Sequence, residues 1–235
     1  MSKPLNPPPL VQTVAVEKIY AASSKVAALK GVDLAIARGE FTALAGPSGS
    51  GKSTLLNLIG TLDQPTKGTV SYDGRVVSGL SIDELSDFRL RSLGFVFQSY
   101  NLIPVLTAAE NVEYPLVLQG VEPEKRRKMA HDALRMVGLD QFAQRRPDLL
   151  SGGQQQRVAV ARAIVHRPSL VLADEPTANL DSKTGAQLLD LMEGLNRDHG
   201  VTFLFSSHDG AVLERARRVV RLQDGELKAD EVRSR

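Results

Sequence analysis

Nine consecutive residues, Gly46-Pro47-Ser48-Gly49-Ser50-Gly51-Lys52-Ser53-Thr54, constrain this chain more than any other stretch. They match the phosphate-cradling pattern GxxxxGK[ST] at each fixed position, and that pattern requires a strand in front and a helix behind. Phe41 to Ala45 reads as a short buried strand, and Ser53 to Ile59 as an apolar helix. Glycines let successive backbone N–H groups turn toward one anion, and the helix N-terminus adds partial positive charge. Lys52 can then reach the outer phosphates, and Ser53 can offer its hydroxyl to Mg²⁺. A glycine-rich turn that binds nothing would need neither flank. By itself the loop indicates a phosphorylated ligand and says nothing of what is done with it.

The pattern around the loop indicates the fold class. Val14, Val16 and Ile19, then Val32 to Ile36, predict two strands before the loop strand. Gly68 to Gly74 is an alternating run bounded by glycines, expected at a sheet edge. Ser81 and Glu84 have capping-box spacing and open a helix toward Leu90. Gly94 to Phe97 is a compact apolar strand that runs into Gln98. From about Thr107 to Leu139 the chain reads as helical, opened by a second capping box at Thr107 and Glu110, with Ala130, Leu134 and Val137 at helical spacing. Pro147 breaks that pattern. Beyond it a helix is expected over Gln155 to Val165, a buried strand over Ser169 to Ala173, a helix over Ser182 to Arg197 and a buried strand over Val201 to Phe205. Helices alternating with short apolar strands predict an α/β fold with a mostly parallel core sheet flanked by helices. The tail from Glu226 reads as charged and exposed.

Composition narrows the class further. Hydrophobic residues at 42% and charged ones at 24% are near the averages for globular chains, which argues against a disordered or fibrous protein. With no cysteine, disulfides and thiolate metal sites are excluded. A formal net charge of +2, without a face-sized cluster of Lys and Arg, gives no support to a nucleic-acid partner. The run Lys125-Arg126-Arg127-Lys128 reads as the solvated face of a helix. No apolar run approaches the roughly 20 residues a spanning helix requires, so any membrane is expected to be crossed by another chain. Residues 1–9 hold four prolines and read as a loose, flexible arm, with residues 10–235 as one domain.

Asp174 and Glu175 end the apolar run Leu170 to Ala173, which puts two carboxylates at the carboxyl edge of a parallel sheet, where ligands bind. Alone, the pair would be an acidic turn. With a phosphate loop on the same edge, Asp174 can hold Mg²⁺ through water while Glu175 orients and deprotonates an attacking water.

Leu150-Ser151-Gly152-Gly153-Gln154, lying between a phosphate loop and a strand that ends Asp-Glu, resembles the signature of ATP-binding cassette (ABC) ATPases. The resemblance covers nearly the whole chain after the proline arm. It implies a P-loop NTPase fold with an N-terminal antiparallel β subdomain and a helical subdomain inserted at about 99–155. The cofactors implied are ATP and Mg²⁺. It further implies that Tyr20 stacks on adenine, that Gln98 joins Ser53 and Asp174 around the metal, and that His208 contacts the γ-phosphate. Residues 178–181, ending in Asp181, become the loop where two subunits touch, and the resemblance groups Asp181 with the nucleotide-binding residues. None of these residues would carry much alone; their joint order carries the resemblance.

The signature also has a physical reading. Ser151 and Gly153 present a hydroxyl and a backbone N–H at a helix start, a second anion site. Two copies related by a two-fold axis can each lend that site, Ser151 to Gln154, to the other's Lys52 loop, giving a self-complementary dimer that ATP joins and hydrolysis releases. Residues 173–177 (ADEPT), Asn179-Leu180-Asp181, the triple Gln154-Gln155-Gln156 and Tyr100 to Pro104 resemble the bacterial group that includes lipoprotein-releasing, macrolide-efflux and cell-division ABC ATPases, although that group commonly has Gly where Ala178 stands. This implies a homodimer on the cytoplasmic face of the inner membrane, under integral membrane permease subunits. The alternatives within the resemblance are the ATPase of an import system and a soluble ABC ATPase acting on nucleic acid or ribosomes.

Overall fold

The computed structural model describes residues 8–21 and 25–233. Most of the proline-rich arm lies outside the described residues. Strands β1 (Val11–Ala21) and β2 (Lys25–Ile36) form a long antiparallel pair, and β3 (Phe41–Ala45) follows with every residue buried. Helix α1 (Lys52–Ile59) leaves the loop at the end of β3 and buries Leu55, Leu56, Leu58 and Ile59. Strand β4 (Lys67–Tyr72) and the short β5 (Arg75–Val76) complete a first sheet of order β2-β1-β4-β5. The run expected at a sheet edge is therefore an inner strand. Asp73 and Gly74, at φ 48° and 80°, form a two-residue turn tight enough for Arg75 and Val76 to pair back and take the edge.

Helix α2 (Ile82–Ser92) starts at the Ser81 and Glu84 capping box and leads into β6 (Leu93–Val96). Helix α3 (Ala108–Leu118) starts at the Thr107 and Glu110 box. The helical stretch expected from Thr107 to Leu139 is divided. Gly120, at φ 72°, ends the first helix, and Pro123, which has no N–H to leave unpaired, takes the first position of α4 (Pro123–Met136). Helix α5 (Gly152–Ile164) begins ahead of the expected Gln155, because Ser151 and Gln154 form a third capping box that apolar periodicity does not reveal. Strand β7 (Leu170–Asp174), helix α6 (Ser182–His199), strand β8 (Phe203–Ser206), helix α7 (Gly210–Arg215) and strand β9 (Arg218–Gln223) follow.

The charged tail is a strand, β10 (Glu226–Val232), antiparallel to β9. Arg218 holds Asp230 through two hydrogen bonds of 2.7 Å, and Arg221 reaches Glu231 at 3.1 Å. Charges that read as solvation in the sequence are cross-strand partners.

The second sheet has the order β10-β9-β3-β8-β7-β6, parallel from β9 through β6. Alternation along β3 divides the core. Phe41, Ala43 and Ala45 join the cluster that contains α5 and α6, while Leu44 joins α1 and the first sheet. An eight-residue helix such as α1 is too short to persist alone. Each fully buried aliphatic side chain contributes about 1.5–3 kcal/mol, so the four that α1 buries hold it in place. The consequence for function is alignment: the loop after β3, Gln98 after β6, Glu175 after β7 and His208 after β8 all emerge at the same sheet edge. Among the described residues, no helix is long and apolar enough to cross a membrane.

Candidate active site

The loop after β3 takes its shape from its glycines. Gly46 lies at φ 148°, and a Cβ there would meet the Leu222 carbonyl oxygen at 2.1 Å, so no other residue fits. Helix α1 starts after Gly51 with no side-chain cap, which leaves its first-turn N–H groups free of side-chain acceptors and open to an anion. The Lys52 ammonium closes the loop, donating to the carbonyl oxygens of Gly46 at 2.8 Å and Pro47 at 3.1 Å. A cleft of about 550 Å³ opens over it, lined by the loop together with Ala28, Gln98, Glu175 and His208.

Of the two acidic residues at the end of β7, Glu175 lines this cleft and Asp174 stands behind Ser53. Asp174 ends β7 with Oδ1 3.3 Å from the Ser53 hydroxyl. Glu175 stands at φ 45°, a left-handed conformation that costs a non-glycine residue about 1–3 kcal/mol. Its N–H is held by the Ser206 carbonyl at 2.8 Å, and its carboxylate by the Ser207 hydroxyl at 2.9 Å and His208 Nδ1 at 2.7 Å. The His208 ring itself is largely exposed. Ser207 was not singled out from sequence, although a hydroxyl beside His208 at the end of a buried strand is a legible signal.

Gln98 pairs with Asn179, whose Nδ2 donates to the Gln98 carbonyl at 3.0 Å while Gln98 Nε2 reaches Asn179 Oδ1 at 3.4 Å. Asp181 does not line the cleft; its carboxylate caps α6. The Thr184 hydroxyl, then the N–H groups of Thr184 and Lys183, hold it below the usual carboxylate range. Tyr20 lies outside the phosphate cleft too, but faces Val26 in the β1–β2 ladder, near Ala28. Its hydroxyl donates to Asp63 at 3.0 Å, and the Lys18 ammonium stands 5.0 Å from its ring centroid. Burial disfavours the Asp63 carboxylate, yet Lys18, the Gln64 N–H and Tyr20 outweigh it and lower its pKa.

Ser151, exposed, and Gln154, half-buried, sit at the start of α5 and do not line the cleft. The Ser151 hydroxyl accepts from Gln154 N–H at 3.3 Å, which leaves its own O–H free to donate. Gly153 is required there by packing, since a Cβ would lie 2.3 Å from Thr184 Cγ2 on α6.

Hydroxyl, carboxylate and amide oxygens at Ser53, Asp174 and Gln98 are the hard donors that Mg²⁺ prefers, and few protein ligands suffice where substrate phosphates complete the shell.

A family model described as ABC transporter matches residues 29–178. The ABC transporter ATP-binding protein MJ0796 of Methanocaldococcus jannaschii is 50% identical over 208 residues, covering 87% of this chain and 88% of that one. The Bacillus subtilis ABC transporter ATP-binding protein YtrE is 48% identical over 205 residues, covering 87% and 89%. The macrolide export ATP-binding/permease protein MacB of Marinobacter nauticus is 46% identical over 227 residues, which are 96% of this chain and 35% of that one. Of solved structures, a dimeric structure of the MJ0796 cassette superposes with TM-score 0.87 at 46% identity, covering 96% of this chain and 99% of that one. A dimeric post-hydrolysis state of the same cassette, bound to ADP and Pi, superposes with the same TM-score, identity and coverage. The chain belongs to the ABC transporter family. It is an ATP-binding ATPase of that family, with the P-loop α/β fold expected from its sequence.

Proposed function

We propose that this chain is the ATP-hydrolysing subunit of a bacterial ABC transporter of the export, lipoprotein-release or mechanotransmission type, acting as a head-to-tail homodimer on the cytoplasmic face of the inner membrane beneath separate permease subunits. The observation that carries the dimer is the separation of two anion sites: the cleft gathers the Lys52 loop, Gln98, Glu175 and His208, while Ser151 to Gln154 lie outside it at a helix start where Ser151 is exposed. The dimeric MJ0796 cassette structures support a dimer.

In this reading Tyr20 stacks on adenine, with its ring held by Asp63 and Lys18. Lys52 exchanges the Gly46 and Pro47 carbonyls for the outer phosphates, and the α1 N–H groups take the inner ones. Ser53, Asp174 and Gln98 hold Mg²⁺, which when bound offsets charge on the phosphates. Glu175 accepts the proton of the attacking water, its carboxylate aimed by Ser207 and His208, and His208 contacts the γ-phosphate. Ser151 of the second copy donates to that phosphate from the opposite side, and residues 178–181 carry the contact between copies.

The permease is proposed to dock in a groove of about 460 Å³ whose walls include Phe95, Phe97, Ile103, Tyr114 and Leu118. Tyr114, Val117 and Leu118 extend it as an exposed apolar stripe along α3, and a contiguous apolar patch of this kind marks an interaction site. At its base Arg162, whose pKa burial lowers, donates to the carbonyls of Tyr100 at 2.8 Å and Asn101 at 2.6 Å, two residues with left-handed backbones in the segment after Gln98. A partner seated there touches the segment that carries Gln98. The MacB relatives, with ATP-binding and permease parts in a chain of which this one spans about a third, support a membrane partner and export. Leu118→Asp should move the chain from the membrane pellet to the supernatant of lysed cells while leaving the ATPase of the isolated protein within about twofold, since groove and cleft are separate. Unchanged pelleting of the variant contradicts this site, and native chain that sediments with ribosomes or DNA supports the soluble alternative.

A further inference from the structure

Gln156 is wholly buried on α5 and uses its amide in an unusual way. Its Nε2 donates to the Pro176 carbonyl at 2.8 Å and the Phe97 carbonyl at 3.2 Å, while its Oε1 has no partner. Phe97 immediately precedes Gln98, and Pro176 immediately follows Glu175. The β6–β7 ladder ends at Val96 opposite Ala173, so these segments leave neighbouring strands just where backbone pairing between them stops. One buried amide NH₂ then spans the gap. The second tie, between Gln98 and Asn179, lies on the exposed side, where water competes for the same groups.

We propose that Gln156 is a positioning residue for hydrolysis: by bridging the carbonyls of Phe97 and Pro176 it fixes Gln98 and Glu175 relative to one another at the mouth of the cleft. The inference rests on the assignment of Glu175 and Gln98 made above. Asn196 provides the contrast. It is another buried amide, and it donates to the carbonyls of Gly39, Glu40 and Val201, with Arg217 bonded to its Oδ1, at the opposite end of the strands, where it fastens turns and meets no part of the site. Gln156 has the same side-chain chemistry, applied to the two segments that carry the metal-side and water-side groups.

The test compares Gln156→Met, Gln156→Glu, Asn196→Leu and Glu175→Gln in the full-length chain, reading kcat, KM for ATP, equilibrium ATP affinity and melting temperature. Misplacement of a reacting group by about 1 Å can cost about 10²-fold in rate, so Gln156→Met is expected to lower kcat about 10–100-fold with ATP affinity within about threefold. Asn196→Leu is expected to lower the melting temperature and leave kcat nearly unchanged. Gln156→Glu keeps the shape and, when protonated, can donate one O–H to one carbonyl. Burial raises a carboxyl pKa, so its kcat relative to the native chain should rise as pH falls from about 8 to 6, a trend absent from Gln156→Met. The inference is overturned if Gln156→Met keeps kcat within twofold while Glu175→Gln loses turnover, or if its loss matches that of Asn196→Leu and the Glu variant shows no such pH trend. Near-native turnover by Glu175→Gln would instead overturn the underlying assignment.

Discussion

Glu175→Gln is expected to bind ATP as tightly as the native chain, to hydrolyse it about 10²–10⁴-fold more slowly, the usual contribution of a positioned base, and to accumulate as an ATP-bound dimer. The amide matches the carboxylate in size, and its oxygen can still accept from the Ser207 hydroxyl, which sits 2.9 Å from Glu175 in the native chain. The left-handed turn at residue 175 is unaffected, because its N–H remains held by the Ser206 carbonyl. What disappears is the ability to take a proton from water. Single-turnover hydrolysis, nucleotide affinity and gel filtration in ATP measure the three parts separately. Turnover close to native removes Glu175 from the role, and a large loss of ATP affinity would mean that it binds nucleotide rather than activating water.

Lys52→Ala should fail at the earlier step. The ammonium holds the carbonyls of Gly46 and Pro47 and is the only Lys or Arg side chain lining the cleft among the described residues. A hydrogen bond to a charged partner contributes about 1.5–3 kcal/mol, which predicts ATP affinity about 10–150-fold weaker by calorimetry. The substitution also removes the side chain that closes the loop, so the loss should fall toward the upper end of that range. Unchanged affinity contradicts the placement of the loop at the phosphates. The two variants divide the site by function: one keeps affinity and loses rate, the other loses affinity.

The site was legible in the sequence wherever function depends on local order. The glycine loop, the Asp-Glu pair at a strand end and the signature before α5 each have a spacing that local geometry dictates, and the strands they follow were visible as apolar runs. The missed features are those that depend on distant partners. Arg218 and Asp230 look like two solvated charges until β9 and β10 pair, so the tail reads as charged and exposed while its strand character stays hidden. Arg75 and Val76 are too short a run to read as a strand, and only the Asp73-Gly74 turn makes them the sheet edge. Gln156 looks like one more polar residue in a glutamine run, since nothing in its local sequence indicates that α5 buries it against Phe97 and Pro176. Asp181, grouped with the nucleotide-binding residues from the resemblance, caps α6 with its carboxylate, which leaves the contact between copies as the role proposed for its loop.

The claim on which the functional reading turns is that one chain holds only half of a working site. Specific ATPase activity measured across a dilution series, with the oligomeric state followed by sedimentation under the same conditions, tests it most directly. Activity per chain should fall toward zero as the dimer dissociates, while monomer retains measurable ATP affinity through the Lys52 loop. Activity per chain that stays constant on dilution, with no dimer detectable, would contradict the account.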